Sequence, residues 1–179
     1  IIHPGHLNII KKGQELGEVT VGLLTDRAIA SYKRLPYLTY VQREEILNSI
    51  KGVNKVIRQD SLDYTDNLNL IKPDFVVHGD DWKEGIQKST REKVINTLKE
   101  WNGEVIDVPY TKGINSTILK EKIKEIGITP DIRRKRFRRL IESKDIVRIL
   151  ESHSGLTGLI IENTKVEMNG RVNEFDGMW

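Results

Sequence analysis

A chain of 179 residues is long enough for one well-buried domain and a short piece of a second. Hydrophobic residues at 37% and charged residues at 31% fit a folded globular chain, and the absence of cysteine excludes disulfides, thiol nucleophiles and thiolate metal sites. The net charge is only +3, and no apolar run approaches the ~20 residues of a membrane-spanning helix, so no membrane partner and a cytoplasmic location are expected.

Apolar residues alternate along the chain between strand-like runs and helix-like periods. The tight turn His3-Pro4-Gly5-His6 leads into the helical period Leu7-Asn8-Ile9-Ile10. Val19-Thr20-Val21-Gly22-Leu23-Leu24 reads as a buried strand, and 43–50 as a helix with Ile46, Leu47 and Ile50 on one face. A short strand follows at 53–57 and another at Pro73-Asp74-Phe75-Val76-Val77-His78, ending in Gly79. Residues 88–101 are helical by period, with Val94, Ile95, Leu98 and Trp101 inward, and 103–108 returns to the sheet. A last helix is expected over 117–126, closed by Gly127 and Pro130. This order predicts an α/β fold with a mainly parallel sheet.

After Pro130 the composition shifts. The run Arg133-Arg134-Lys135-Arg136-Phe137-Arg138-Arg139 reads first as a solvated linker or helix face, and nucleic acid is not expected as a partner. Strand-like runs follow at Ile146-Val147-Arg148-Ile149-Leu150 and Gly158-Leu159-Ile160-Ile161. The expected division is a domain over 1–127, a basic linker or helix over 128–145 and a further segment over 146–179.

Three motifs carry chemistry. A helix starting at the first turn offers free backbone N–H groups and a positive dipole end to a phosphate. Pro4 suits its first position, and Gly5 removes the side chain that would block close approach. His3 and His6 fall on one side of it and can donate to a phosphoryl group as charge builds there. A pair of surface histidines at a helix cap is the plain alternative, and a metal site lacks a third ligand nearby. The second motif, Tyr110-Thr111-Lys112-Gly113-Ile114-Asn115-Ser116-Thr117, leaves a strand and opens a helix without an acidic residue at the capping-box position. The third, His78-Gly79-Asp80-Asp81-Trp82, lies past a strand's C-terminal end, where ligands of open α/β sheets collect. Its paired carboxylates could hold Mg²⁺ through water, and Trp82 could flank a base. Lys33 and Arg43, each taken alone, read as solvated surface cations.

In order, these motifs resemble the cytidylyltransferases that include the glycerol-3-phosphate and phosphoethanolamine enzymes. The resemblance covers residues 1–127 and rests on His3-Pro4-Gly5-His6, Asp26, Lys33, Arg43-Glu44-Glu45-Ile46-Leu47, Gly79-Asp80-Asp81-Trp82 and Ile114-Asn115-Ser116-Thr117. It implies a Rossmann-like nucleotidylyltransferase fold and transfer of CMP from CTP, with Mg²⁺ as the triphosphate's companion and no metal ligands assigned. By the same resemblance His3, His6 and Lys33 are the catalytic residues. Gly5, Gly79, Asp80, Trp82, Ile114, Ser116 and Thr117 join the two histidines in binding CTP, and Lys33 and Arg43 bind the acceptor. Tyr110 stands where the family usually has an arginine, a place that Lys112 could fill. The family's first strand, with its aspartate, is expected ahead of His3.

The stretch 148–162, with Phe175-Asp176-Gly177-Met178-Trp179, looks like the opening of a phosphoenolpyruvate mutase, a TIM-barrel enzyme of the isocitrate lyase superfamily. The expectation is a truncated start of such a domain without mutase activity. A small phosphonate, such as 2-hydroxyethylphosphonate or 2-aminoethylphosphonate, is then the expected acceptor. An alcohol phosphate such as glycerol 3-phosphate or phosphoethanolamine is the alternative, and a non-catalytic nucleotide-binding module regulating the mutase is a third reading. A homo-oligomer is the expected assembly.

Overall fold

The computed structural model describes residues 2–32, 34–109, 130–168 and 171–179. In chain order its elements are α1 (Pro4–Leu16), β1 (Thr20–Leu24), α2 (Asp26–Ala30), α3 (Tyr40–Asn48), β2 (Lys55–Gln59), α4 (Thr65–Ile71), β3 (Phe75–Gly79), α5 (Lys88–Leu98) and β4 (Glu104–Val108). Then come α6 (Pro130–Ser143), β5 (Ile149–Leu150), α7 (Gly155–Asn163), β6 (Lys165–Met168), β7 (Arg171–Glu174) and β8 (Gly177–Met178). Short 3₁₀ turns stand at Asp80–Lys83, Gly85–Gln87 and Lys99–Trp101. The chain divides into two compact units, Ile1–Thr25 with Tyr37–Ile128 and Asp26–Pro36 with Thr129–Trp179.

In the first unit the strands pair in parallel, as the alternating pattern predicts, but as two separate pairs rather than one sheet. β1 lies on β2 from Thr20↔Lys55 to Leu24↔Gln59, and β3 on β4 from Phe75↔Glu104 to Gly79↔Val108. Each pair has its own cover: α3 packs on β1 and β2, whereas α1 packs on β3 and β4. α3 starts three residues ahead of the expected place. Thr39 Oγ1 accepts the Gln42 N–H at 3.3 Å and Gln42 Oε1 accepts the Thr39 N–H at 3.0 Å, a reciprocal cap that sets the first turn. Of its expected apolar face only Leu47 is buried, and Ile46 is exposed. The core gathers Leu68, Trp82, Val94 and Leu98, flanked by Tyr64, Val76, Trp101 and Val105. Val94 and Leu98 of α5 stand one turn apart, as their spacing predicts. Beyond Leu98 the helix tightens to a 3₁₀ turn, where the Trp101 indole N–H reaches the Pro73 carbonyl at 2.9 Å.

In the second unit the basic run is helical and makes up the middle half of α6. Arg139 turns inward, its Nη2 2.8 Å from Asp26 Oδ2 and its Nη1 3.1 Å from the Pro36 carbonyl. Arg34 bridges Glu174 at 2.9 Å and Glu162 at 3.1 Å. Lys144 pairs with Asp176, which is only 6% exposed and also takes the Arg148 N–H. Two strand expectations change here. The run 146–150 yields strand only at Ile149–Leu150. Residues 158–161 belong to α7, because Ser154 and Thr157 cap each other's backbone and nucleate a helix three residues ahead of the apolar run. β5 and β8 form a two-residue parallel pair, and β6 and β7 pair antiparallel. Among the described residues no helix is long and apolar enough to cross a membrane.

Candidate active site

His3 caps α1 from an extended conformation and Pro4 takes the first helical position. The His3 Nδ1 accepts the Gly5 N–H at 3.2 Å, and the His6 Nδ1 accepts the His3 N–H at 3.3 Å. The two rings stand 3.9 Å apart, tilted by 49°. A ring nitrogen that accepts a backbone N–H carries no proton, so this reciprocal cap assigns the proton of each neutral imidazole to Nε2. Two Nε2–H donors therefore stand at the N-terminus of α1; the free amides expected there are taken up within the cap, the Gly5 N–H by His3 Nδ1 and the His6 N–H by the His3 carbonyl oxygen at 2.9 Å, and the first turn contains no acidic residue. Burial pushes the His3 imidazole below its ordinary value, against a smaller upward pull from the Asp81 carboxylate.

The second wall is the C-terminal end of β3. Gly79 stands next to α1 and to the Asp80–Lys83 turn. A Cβ there would lie 2.8 Å from the Asp81 Oδ1 and 3.7 Å from the Ile9 side chain of α1. The Asp81 carboxylate is the exposed end of a flexible side chain and the Ile9 distance is ordinary contact, so this end of β3 lies directly against α1. Asp80 is half-buried and Asp81 exposed, so both carboxylates are accessible at this edge.

Beneath them runs a connected set of side chains. The His78 Nδ1 lies 2.9 Å from the Gly79 carbonyl oxygen and 3.8 Å from Asp81 Oδ1. One face of its ring stacks on the Trp82 indole at 4.0 Å, with the planes 10° apart. The Trp82 Nε1–H donates to Asp107 Oδ1 at 2.8 Å, while Arg91 Nη2 and Lys83 Nζ reach Asp107 Oδ2 at 2.9 and 3.1 Å. Burial by itself would raise the Asp107 carboxyl, but hydrogen bonds from Arg91, Trp82 and Lys83 outweigh it and hold it at about 2. Asp107 and His78 are register partners on adjacent strands, so the indole spans both.

The sequence expectation for Trp82 is corrected here. Its indole is fully buried against Leu68, Val94 and Leu98. In this structure it offers no face to a base and acts on the edge through the residues it holds. Arg43 is half-buried rather than solvated, its Nη1 2.8 Å from the Leu24 carbonyl at the end of β1. Lys33, Ile114, Ser116 and Thr117, with Tyr110, Lys112 and Asn115, lie outside the described residues. The third motif included His78 without giving it a role, and the spacing of motifs missed Lys83, Arg91 and Asp107. A signal existed for Asp107, an acidic residue inside the apolar strand Val105-Ile106-Asp107-Val108.

Residues 1–135 match the family described as Cytidylyltransferase-like. The FAD synthase of Methanosarcina mazei is 28% identical over 131 residues, which span 71% of this chain and 85% of that protein. The glycerol-3-phosphate cytidylyltransferase of Bacillus subtilis is 30% identical over 132 residues, 69% of this chain and 89% of that protein. Among solved structures, the lipopolysaccharide core biosynthesis protein of Thermoplasma volcanium superposes with a TM-score of 0.51 at 21% identity, covering 64% of this chain and 90% of that one. At that identity the likeness concerns the fold alone.

Proposed function

The chain belongs to the cytidylyltransferase-like family and is a nucleotidyltransferase with an α/β nucleotidylyltransferase-like fold of small parallel sheets, and from that premise we propose that it transfers CMP from CTP to a small phosphonate. The observation that carries nucleotidyl transfer is the reciprocal cap of His3 and His6, which makes both Nε2 atoms donors at a helix N-terminus. An acceptor oxygen attacks the α-phosphorus, the bond from that phosphorus to the bridging β-oxygen breaks, and pyrophosphate leaves. The two imidazoles donate to the equatorial oxygens as negative charge gathers on them, and the positive end of the α1 dipole favours the phosphates. The chain need supply no covalent intermediate, since orientation and charge neutralisation account for such a transfer.

Among the described residues no three His, Asp or Glu side chains stand together as a resident metal site. The paired carboxylates of Asp80 and Asp81 instead suit a hydrated Mg²⁺ that enters with the nucleotide. Such an ion supplies charge neutralisation of the triphosphate.

The phosphonate acceptor is supported by the resemblance of 148–162 and 175–179 to the opening of a phosphoenolpyruvate mutase. An alcohol phosphate is the second reading, favoured by the likeness to glycerol-3-phosphate cytidylyltransferase over most of that enzyme's length. Pyrophosphate release from CTP and Mg²⁺, with 2-hydroxyethylphosphonate, 2-aminoethylphosphonate, glycerol 3-phosphate or phosphoethanolamine, decides between them. The phosphonates are expected to give the higher kcat/KM; a preference for glycerol 3-phosphate replaces the first reading by the second. Replacing His3 and His6 together by Ala is expected to cut turnover by at least ~100-fold, and undiminished release by that variant refutes the mechanism.

A further inference from the structure

His78 stands one residue before the end of β3, yet phosphate binding leaves it without a task. Its ring is held from two sides, by the Gly79 carbonyl oxygen 2.9 Å from Nδ1 and by the Trp82 indole stacked at 4.0 Å. A carbonyl oxygen only accepts, so Nδ1 carries the proton and the Nε2 of the neutral ring presents a lone pair. Among the described residues nothing hydrogen-bonds to that Nε2. The side chain is 25% exposed, so the lone pair is neither sealed in the core nor fully in water. Its support is rigid: Trp82 is fully buried and its N–H is held by Asp107, which Arg91 and Lys83 hold in turn. A fixed acceptor thus stands at the C-terminal edge of β3, the edge where nucleotides lie on open α/β sheets. The Gly79–Ile9 approach places this edge against α1, and with it the phosphate-binding turn.

We propose that His78 is a specificity residue of the nucleotide pocket, its Nε2 accepting a hydrogen bond from the exocyclic amine of the base. Cytosine and adenine carry that donor and uracil does not. This inference rests on the nucleotidyl-transfer reading. A uracil carbonyl at the same place would set two lone pairs against each other. Such a half-buried polar mismatch discriminates far more strongly than apolar fit.

The test measures kcat and KM for CTP and UTP, and nucleotide binding by calorimetry, in the wild type, His78→Phe and His78→Gln. Phe keeps the stack on Trp82 and removes the acceptor, whereas Gln restores an acceptor oxygen. The wild type is expected to favour CTP over UTP by at least ~30-fold in kcat/KM, as a site that hydrogen-bonds a substrate group does. His78→Phe is expected to bring the ratio to within about 3-fold of unity, chiefly through the KM for CTP, with the acceptor KM unchanged and Gln recovering most of the preference. If the Phe variant does not fold, His78→Met, which also lacks a strong acceptor, is read by the same criterion. A folded variant that keeps the wild-type ratio overturns the proposal, as does a wild type that uses both nucleotides alike. A wild type that neither binds CTP nor releases pyrophosphate from it refutes the functional reading, and this inference falls with it. Normal turnover with a ratio indifferent to position 78 refutes this inference alone.

Discussion

Asp107→Asn keeps the size of the side chain and the Oδ1 acceptor that Trp82 uses, while removing the charge that Arg91 and Lys83 face. The carboxyl is 17% exposed and titrates at about 2 in place of 3.8. At ~1.4 kcal/mol per pKa unit the folded state favours the charged form by at most about 2.5 kcal/mol. Screening at the wet rim, where Lys83 is half exposed, trims the expected loss to about 1–2 kcal/mol at pH 7. The new amide also confronts Arg91, whose buried Nε makes no hydrogen bond among the described residues. The pKa is depressed by folding, so this stabilisation is complete above the unfolded value near 4 and disappears as pH falls through the folded value near 2; about half remains at pH 3. Urea unfolding followed by tryptophan fluorescence, on both proteins at pH 7 and pH 3, measures it. The gap between the two should shrink about twofold at the lower pH. An equal gap at both values, or one below about 0.3 kcal/mol at pH 7, refutes the charge-based account of Asp107.

The lowered pKa of His3 places the acid limb of kcat/KM below 6.5, because protonating its Nδ1 removes the acceptor of the Gly5 N–H. A pH–rate profile with its limb above 6.5 contradicts the assigned tautomer. Gly79→Ala puts a Cβ 2.8 Å from the Asp81 Oδ1, the exposed end of a flexible side chain that can turn aside, and is expected to cost less than about 1 kcal/mol; a loss above about 2 kcal/mol in urea unfolding would mean that Asp81 is held in place. Lys144→Met leaves the buried Asp176 carboxylate without its cation and is expected to cost about 2–3 kcal/mol in thermal or urea unfolding. Adding Asp176→Asn should recover most of that loss, and neither change should alter the KM for CTP.

What could be read without coordinates depended on distance along the chain. The α/β alternation, the helix opening at Pro4 and the inward Val94 and Leu98 follow from contacts within one or two turns, which composition and spacing report directly. Even the misread runs were local: the Thr39/Gln42 and Ser154/Thr157 caps were present as Thr-x-x-Gln and Ser-x-x-Thr, and the second outweighs the β-rich look of 158–161. The histidine turn was legible as a helix start for the same reason, its cap being packed into four residues. Which histidine nitrogen carries the proton was not, since that depends on backbone hydrogen bonds rather than on residue type. Only the tertiary structure decided that Trp82 is a buried support rather than a base-stacking surface. Its burial comes from Leu68, Val94 and Leu98 on two helices, and its bond to Asp107 from a strand 25 residues on, brought alongside by the parallel register of β3 and β4. An isolated Asp, Trp or Arg acquires its role from whichever distant backbone the fold sets beside it, and no local period encodes that neighbour.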